Sequence, residues 1–223
     1  MQLSNETINV LKNFATVNPN VVFKPGQKLK TISEAKTILA SAEIVEDFPV
    51  EFGIYDLNEF LSVYNLIEDP TLAFEDKSLL ISGSGQKIRY YFSETEILTQ
   101  PSKDITMPDC EVGINMTDEQ LKSLKQASAV LGHSDLAITG TNGNVVAKVF
   151  DEKDSTSNTF EMELDRDNAC KEDFNFVVNM PNLKLLPGDY FVNISSKLIS
   201  NWTNNDYPID YFIALEKSST FAV

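Results

Sequence analysis

The sequence predicts an α+β protein of two similar halves, each with helices packed on mostly antiparallel sheet, and three observations lead to that reading. Glycine- and proline-bearing turns punctuate the chain at Pro25-Gly26, Gly83-Ser84-Gly85, Gly140 to Gly143 and Pro187-Gly188-Asp189, and β-type runs lie between them. A helical segment at the start recurs in the second half: Leu3-Ser4-Asn5-Glu6-Thr7-Ile8 falls over Met116-Thr117-Asp118-Glu119-Gln120-Leu121, and Leu11-Lys12 over Leu124-Lys125. A strand running into a short helix, 52–61 (FGIYDLNEFL), likewise falls over 176–185 (FVVNMPNLKL), with Asn58 on Asn182. Self-similarity of this kind marks a duplicated unit.

In chain order, Ser4 caps the first helix and Glu6 lies in its first turn, where the helix dipole favours negative charge. At roughly 100° per residue, Leu3, Val10, Phe14, Leu11 and Ile8 share one side, and Lys12, Asn5, Asn9, Asn13 and Glu6 the other. Strands are expected at 21–23 and 50–55, the second entering a short helix with Asp56 at its N-terminus. Strands at 79–82 and 88–92 flank a hairpin turn at Gly83-Ser84-Gly85. The polar, proline-bearing stretch 99–111 (TQPSKDITMPDCE) has the composition of a connector and divides the chain into 1–98 and 112–223.

Past the connector, Thr117 caps the second long helix. Its apolar arc is Met116, Ala127, Leu131, Leu124 and Leu121, and its opposite arc holds Lys125, Asp118, Lys122, Gln126 and Glu119. The exposed faces of the two helices correspond position by position. Strands at 136–139, 145–150, 174–179, 190–195 and 211–215 complete the half, with a short helix after 179 carrying Lys184. Between 161 and 167 acidic residues alternate with others, so carboxylates line one strand face and Met162 and Leu164 the other.

With 42% apolar residues in 223, the chain can build real cores. Its 18 Lys+Arg against 33 Asp+Glu give a net charge of −15, the reverse of the basic footprint of a conventional nucleic-acid binder. No run approaches the roughly 20 apolar residues of a membrane span, and no basic or apolar leader opens the chain, so a soluble, unprocessed protein without membrane contact is expected. Cys110 and Cys170 stand alone and His133 is the single histidine. Imidazole chemistry and thiolate metal sites therefore have little to use; no metal or cofactor is expected, and both thiols read as reduced in a cytoplasm.

The segments 3–18 (LSNETINVLKNFATVN), 53–61 (GIYDLNEFL), 174–190 (FNFVVNMPNLKLLPGDY) and 211–220 (YFIALEKSST) resemble the DNA polymerase sliding clamps of T-even-type tailed bacteriophages. The likeness runs from near the start to near the end and weakens at about 62–112 and 132–170. It implies the DNA clamp fold: two similar clamp-type domains, each of two helices on antiparallel sheet, with three chains closing head to tail into a ring. Helices would line the hole and sheets the rim. It also implies a non-enzymatic processivity factor of the infected bacterial cytoplasm. Its expected partners are duplex DNA held without sequence reading, the replicative DNA polymerase, an ATP-driven clamp loader and late-transcription factors.

Lys12, Lys122 and Lys125 on the two long helices, Lys184 in the last short helix, and Asn9 are the pore candidates, with Asn5, Asn13 and Gln126 on the same faces. A few lysines suffice, because phosphates attract them by counterion release without any base contact. Asp56 and Glu59 break the basic pattern in the first half. Lys24, Lys28 and Lys30 form a second basic group, which reads equally as a solvated hairpin. The resemblance also implies a pocket for partner peptides, at Leu98, Ile105 and Met107 in the connector and Phe212, Ala214 and Leu215 near the end. Strand alternation puts Phe212 and Ala214 on one face and Tyr211, Ile213 and Leu215 on the other, without saying which face meets the partner. Two other readings compete: an acidic two-domain scaffold of phage replication and transcription that does not encircle DNA, and a metal-dependent phosphoesterase using Glu161, Glu163 and Asp165.

Overall fold

The structure, a computed structural model, describes residues 1–165 and 170–222. It divides into two compact units, Met1–Asp104 and Ile105–Val223, the division falling inside the stretch 99–111. No helix among the described residues is long and apolar enough to cross a membrane.

In the first unit α1 (Asn5–Val17) starts where Ser4 Oγ accepts the Thr7 N–H at 3.1 Å. It buries Val10, Leu11, Phe14 and Val17 against β3 (Ile38–Phe48) and α2 (Leu57–Tyr64). The chain then forms β1 (Val21–Phe23), β2 (Gly26–Ile32), β3, β4 (Phe52–Ile54), α2, and the meander β5 (Thr71–Phe74), β6 (Ser78–Gly83) and β7 (Gln86–Tyr91). α2 begins as expected at Asp56, whose carboxylate accepts the N–H groups of Asn58 (2.9 Å) and Glu59 (3.1 Å). β1 pairs antiparallel with β4, setting Phe23 opposite Phe52, and their rings stack at 4.5 Å. Phe48 and Phe92 close on the same pair at 4.8 Å and 4.9 Å, forming an aromatic core.

The Lys24–Lys30 region is not the hairpin it resembles. β1 pairs with β4 and β2 with β3, so the Pro25-Gly26 turn is a corner between two separate ladders. Gly26, at φ +109, takes a backbone conformation that side-chain-bearing residues rarely adopt.

The second unit opens with β8 (Val112–Met116), which claims Met116 as the buried end of a strand rather than the start of the helix. α3 (Asp118–Leu131) follows from a capping box: Thr117 Oγ1 accepts the Gln120 N–H at 3.2 Å, and Gln120 Oε1 accepts the Thr117 N–H at 2.8 Å. Gly132 in the left-handed region ends it. One antiparallel sheet runs in the order β11 (Phe160–Asp165), β10 (Asn144–Phe150), β9 (Asp135–Thr141), β12 (Phe174–Asn179) and β16 (Thr220–Phe221). A second ladder pairs β8 with β13 (Tyr190–Ser195), β13 with β14 (Ile199–Asn204) and β14 with β15 (Ile209–Ala214). Trp202, on β14 and fully buried, donates its Nε1–H to Ser200 Oγ at 3.0 Å and meets Tyr190 edge-on. Burial pushes the Tyr190 phenol up to about 12.

The two units differ at one repeated position. Where α2 stands in the first, the second has only a 3-10 turn, Met180–Asn182. Asp56 caps α2 through two backbone N–H groups, whereas Asn179 makes no side-chain cap, and Pro187 follows soon after. Without a cap, and with a proline near, a short helix has too little to offset its nucleation cost. Lys184 therefore lies beyond a single turn, not in a helix.

Candidate functional site

α1 and α3 are built alike, each opening on a hydroxyl cap with acidic residues in the first turn and lysine further along. Together they hold three acidic residues, Glu6, Asp118 and Glu119, and three lysines, Lys12, Lys122 and Lys125, so they are neutral within a chain of net charge −15. The acidic residues offset the positive ends of the helix dipoles, leaving the cationic groups toward the middle of each helix.

Lys12, Asn5 and Asn9 are exposed on α1. Asn13, placed on that face by the helical wheel, is instead buried at 9% exposure, while Ile8 is half-buried. α1 is gripped on two flanks, by α2 and by β3, so its covered arc is wider than the apolar residues alone mark. The grip includes Glu46 of β3, which accepts the Ser4 N–H and the Thr7 hydroxyl. Tyr64 of α2 adds to it, its hydroxyl accepting the Leu3 N–H at 3.0 Å and donating to Pro70 O at 3.3 Å. Burial pushes the Glu46 carboxyl up, but the hydrogen bonds from Thr7 and Ser4 outweigh it and hold the group below the ordinary value of 4.5. Neither anchor carries a sequence signal, since each acts across 39 or more residues.

On α3 the lysines are less free. Lys122 forms an ion pair with Asp118 one turn earlier, and that pair, with a Gly188 N–H at 3.1 Å, holds the Asp118 carboxyl below its usual range. The Asp118 N–H in turn donates to Asp189 Oδ1 at 2.8 Å, tying the start of α3 to the Pro187-Gly188 turn. Lys125 is half-buried, and burial pulls its ammonium below the ordinary lysine value, with Asp118 acting in the opposite sense. Lys184, also half-buried, follows the 3-10 turn and donates its backbone N–H to Asn182 O at 2.9 Å.

The apolar docking candidates separate by burial. Leu98, 6% exposed, packs on the backbone of Gly53, where an added Cβ would lie 2.6 Å from its Cδ1. Leu215 is also 6% exposed and, with Tyr211 and Ile213, faces the core. Both are core residues in the chain as it stands. Phe212 and Ala214 on the other face of β15, and Ile105 and Met107 in the segment before β8, keep partial exposure.

On β11, Glu161 and Glu163 are exposed and Met162 and Leu164 half-buried, so the alternation holds over these residues; Arg166 and Asp167 lie outside the described residues. Glu161 pairs with Lys148 at 2.9 Å. No group of three or more potential metal ligands converges among the described residues.

Residues 4–97 match the family model described as DNA polymerase processivity factor, and residues 113–217 the one described as gp45 sliding clamp, C terminal. The sliding clamp of Vibrio phage KVP40 is 32% identical over 97% of this chain and 99% of its own length. The sliding clamp of Enterobacteria phage T4 is 30% identical over 99% of each chain. Among solved structures, A. fulgidus PCNA bound to the C-terminal region of FEN-1 superposes with a TM-score of 0.72 at 12% identity, over 98% of each chain. The H. pylori beta clamp, in complex with 5-chloroisatin, superposes with a TM-score of 0.73 at 10% identity, over 97% of this chain and 66% of that one. These two likenesses show a shared fold at identities too low to show more. The full-length phage relatives and the two family models show that the chain belongs to the sliding-clamp family of DNA polymerase processivity factors, accessory proteins rather than enzymes.

Proposed function

We propose that three copies of this chain close head to tail into a ring around duplex DNA, with α1 and α3 of each copy facing the hole, and that the ring tethers the replicative DNA polymerase to its template. The observation that carries this reading is the match between α1 and α3: two helices capped alike, with Lys12 on Lys125 and no net charge in a strongly acidic chain. Lys12 is exposed and in no ion pair among the described residues, Lys122 and Lys125 act at reduced strength, and Asn9 adds hydrogen bonds. Lys184 stands at the margin. Each phosphate contact would steepen the salt dependence by roughly 0.9 in log–log slope. Few and partial contacts suit a protein that must slide, and retention then comes from closure. Head-to-tail contacts must close on themselves to avoid filament growth.

Phe212 and Ala214, with Ile105 and Met107, are the proposed anchors for a polymerase peptide; a small number of buried anchors carries most of such binding energy. The stretch 99–111 would serve as connector between domains 1–98 and 112–223. A clamp loader would open and close the ring at the expense of ATP, and late-transcription factors would share the peptide site. All of this takes place in the cytoplasm of an infected bacterial host.

Light scattering at low and moderate salt, followed by retention on circular against linear DNA, tests the proposal. A mass near three chains and retention that is lost when the circle is cut support it. A monomer at every concentration overturns the ring and leaves the acidic scaffold in its place. Three chains of −15 carry −45, so closure should strengthen with salt.

A further inference from the structure

A cluster of lysines in the first unit lies outside α1. Lys28 and Lys30 alternate on β2, so they point to one side while Leu29 and Thr31, 1% and 2% exposed, fill the other. Lys24 precedes the Pro25-Gly26 corner. These three and Lys103 line one cleft of about 450 Å³, and Asp104 is the sole acidic residue in its wall. Four lysines and one aspartate give the lining a charge of +3 in a chain of −15. Asp104 pairs with Lys30, and Lys24 and Lys28 add to the field that holds its carboxyl low. Lys24, Lys28 and Lys103 are exposed and have no ion-pair partner among the described residues.

We propose that this cleft is a docking site for an acidic segment of a protein partner, whose carboxylates take the lysines and displace Asp104 from Lys30. Two observations favour a peptide carboxylate over duplex phosphate, and a third explains why an anion rests here at all. The cleft already holds one carboxylate, Asp104, borne on an irregular segment much as a partner's would be. Its volume lies in the range of a ligand pocket, recessed between the Pro25 corner and the Pro101 segment, a shape that suits a flexible side chain better than the regular phosphate rail of a duplex. The surrounding negative charge repels an acidic chain elsewhere, so the local positive field sets where such a chain can rest. The lining shares no residue with the lysines on α1 and α3 or with the apolar anchors around Phe212.

The test measures fluorescence anisotropy of labelled hexaglutamate on the full chain, with hexaglutamine and a short duplex as competing probes. Hexaglutamate has no apolar side chain, so the anchors around Phe212 contribute nothing. Binding is expected at low salt and should weaken as salt rises. Lys28→Glu with Lys103→Glu should weaken it about tenfold or more, and Asp104→Asn, which removes the internal competitor, should tighten it about threefold, in keeping with exposed ion pairs. Lys77→Glu, a charge change outside the lining, should leave it unchanged. Should the double reversal lower the melting temperature, Lys28→Gln with Lys103→Gln reads the same contrast. Absence of hexaglutamate binding at low salt, or binding indifferent to both Lys28 and Asp104, overturns the proposal. So does a duplex that binds more tightly and loses its affinity in the same variants, which would assign the cleft to phosphate.

Discussion

Glu46, near the end of β3, accepts the hydroxyl proton of Thr7 in the first turn of α1, and its other oxygen takes the Ser4 N–H. A carboxylate thus sits at the positive end of the helix dipole and satisfies backbone and side-chain donors that would otherwise be buried without a partner. Glu46→Ala should cost about 1–3 kcal/mol in urea denaturation at neutral pH, because it strands those donors.

The same group makes stability pH-dependent with a definite sign. Its carboxyl is held below 4.5 in the fold, so its contribution is present in full above the unfolded value and is lost as pH falls through the lower, folded one. The wild type should lose stability on acidification through this window, and Glu46→Gln should lose less over the same range. Parallel urea titrations at pH 7 and pH 4 check this; equal losses in the two proteins would remove Glu46 from the account.

Gly140 on β9 stands directly opposite Phe174 on β12, and a Cβ at Gly140 would lie 2.0 Å from the Phe174 ring. Gly140→Ala must therefore push aside a ring that also stacks on Phe176 at 5.4 Å. A loss of about 1–3 kcal/mol is expected from overpacking, read as a lower urea midpoint with an unchanged slope. Phe174→Leu in the same background should recover part of it by relieving the clash.

For the proposed pore, Lys12→Glu with Lys125→Glu should lower polymerase processivity while the mass in solution stays that of the wild type. Lys122→Glu should do less, because Lys122 is already engaged with Asp118. Unchanged processivity in the double variant would take DNA contact away from α1 and α3.

The two faces of β15 should separate binding from folding. Phe212→Ala is expected to weaken polymerase-peptide binding, measured by titration calorimetry, with little change in melting temperature. Leu215→Ala should instead cost about 2–4 kcal/mol of stability as a core truncation. If Phe212→Ala destabilised the chain as much as Leu215→Ala, Phe212 would be a packing residue and the anchor assignment would fail.

The caps at Ser4, Asp56 and Thr117 were legible in the sequence because each rests on residues within one helical turn, and the duplication and the correspondence of Lys12 with Lys125 because the same local pattern recurs in the second half. Alternation likewise separated Phe212 and Ala214 from Tyr211, Ile213 and Leu215, though it could not say which set is buried. Only the tertiary structure showed that Asn13 is covered, that the counterpart of α2 is a single 3-10 turn, and that β2 and β3 form a ladder apart from β1. It also brought Glu46 and Tyr64 to the start of α1, and Lys103 and Asp104 to the lysines of β2. The reason is physical: a cap or an amphipathic arc is set by hydrogen bonds and side-chain spacing over a few residues, and so leaves a periodic trace. A carboxylate that meets its partner across 39 or 74 residues depends on where whole strands pack, and no local pattern records it.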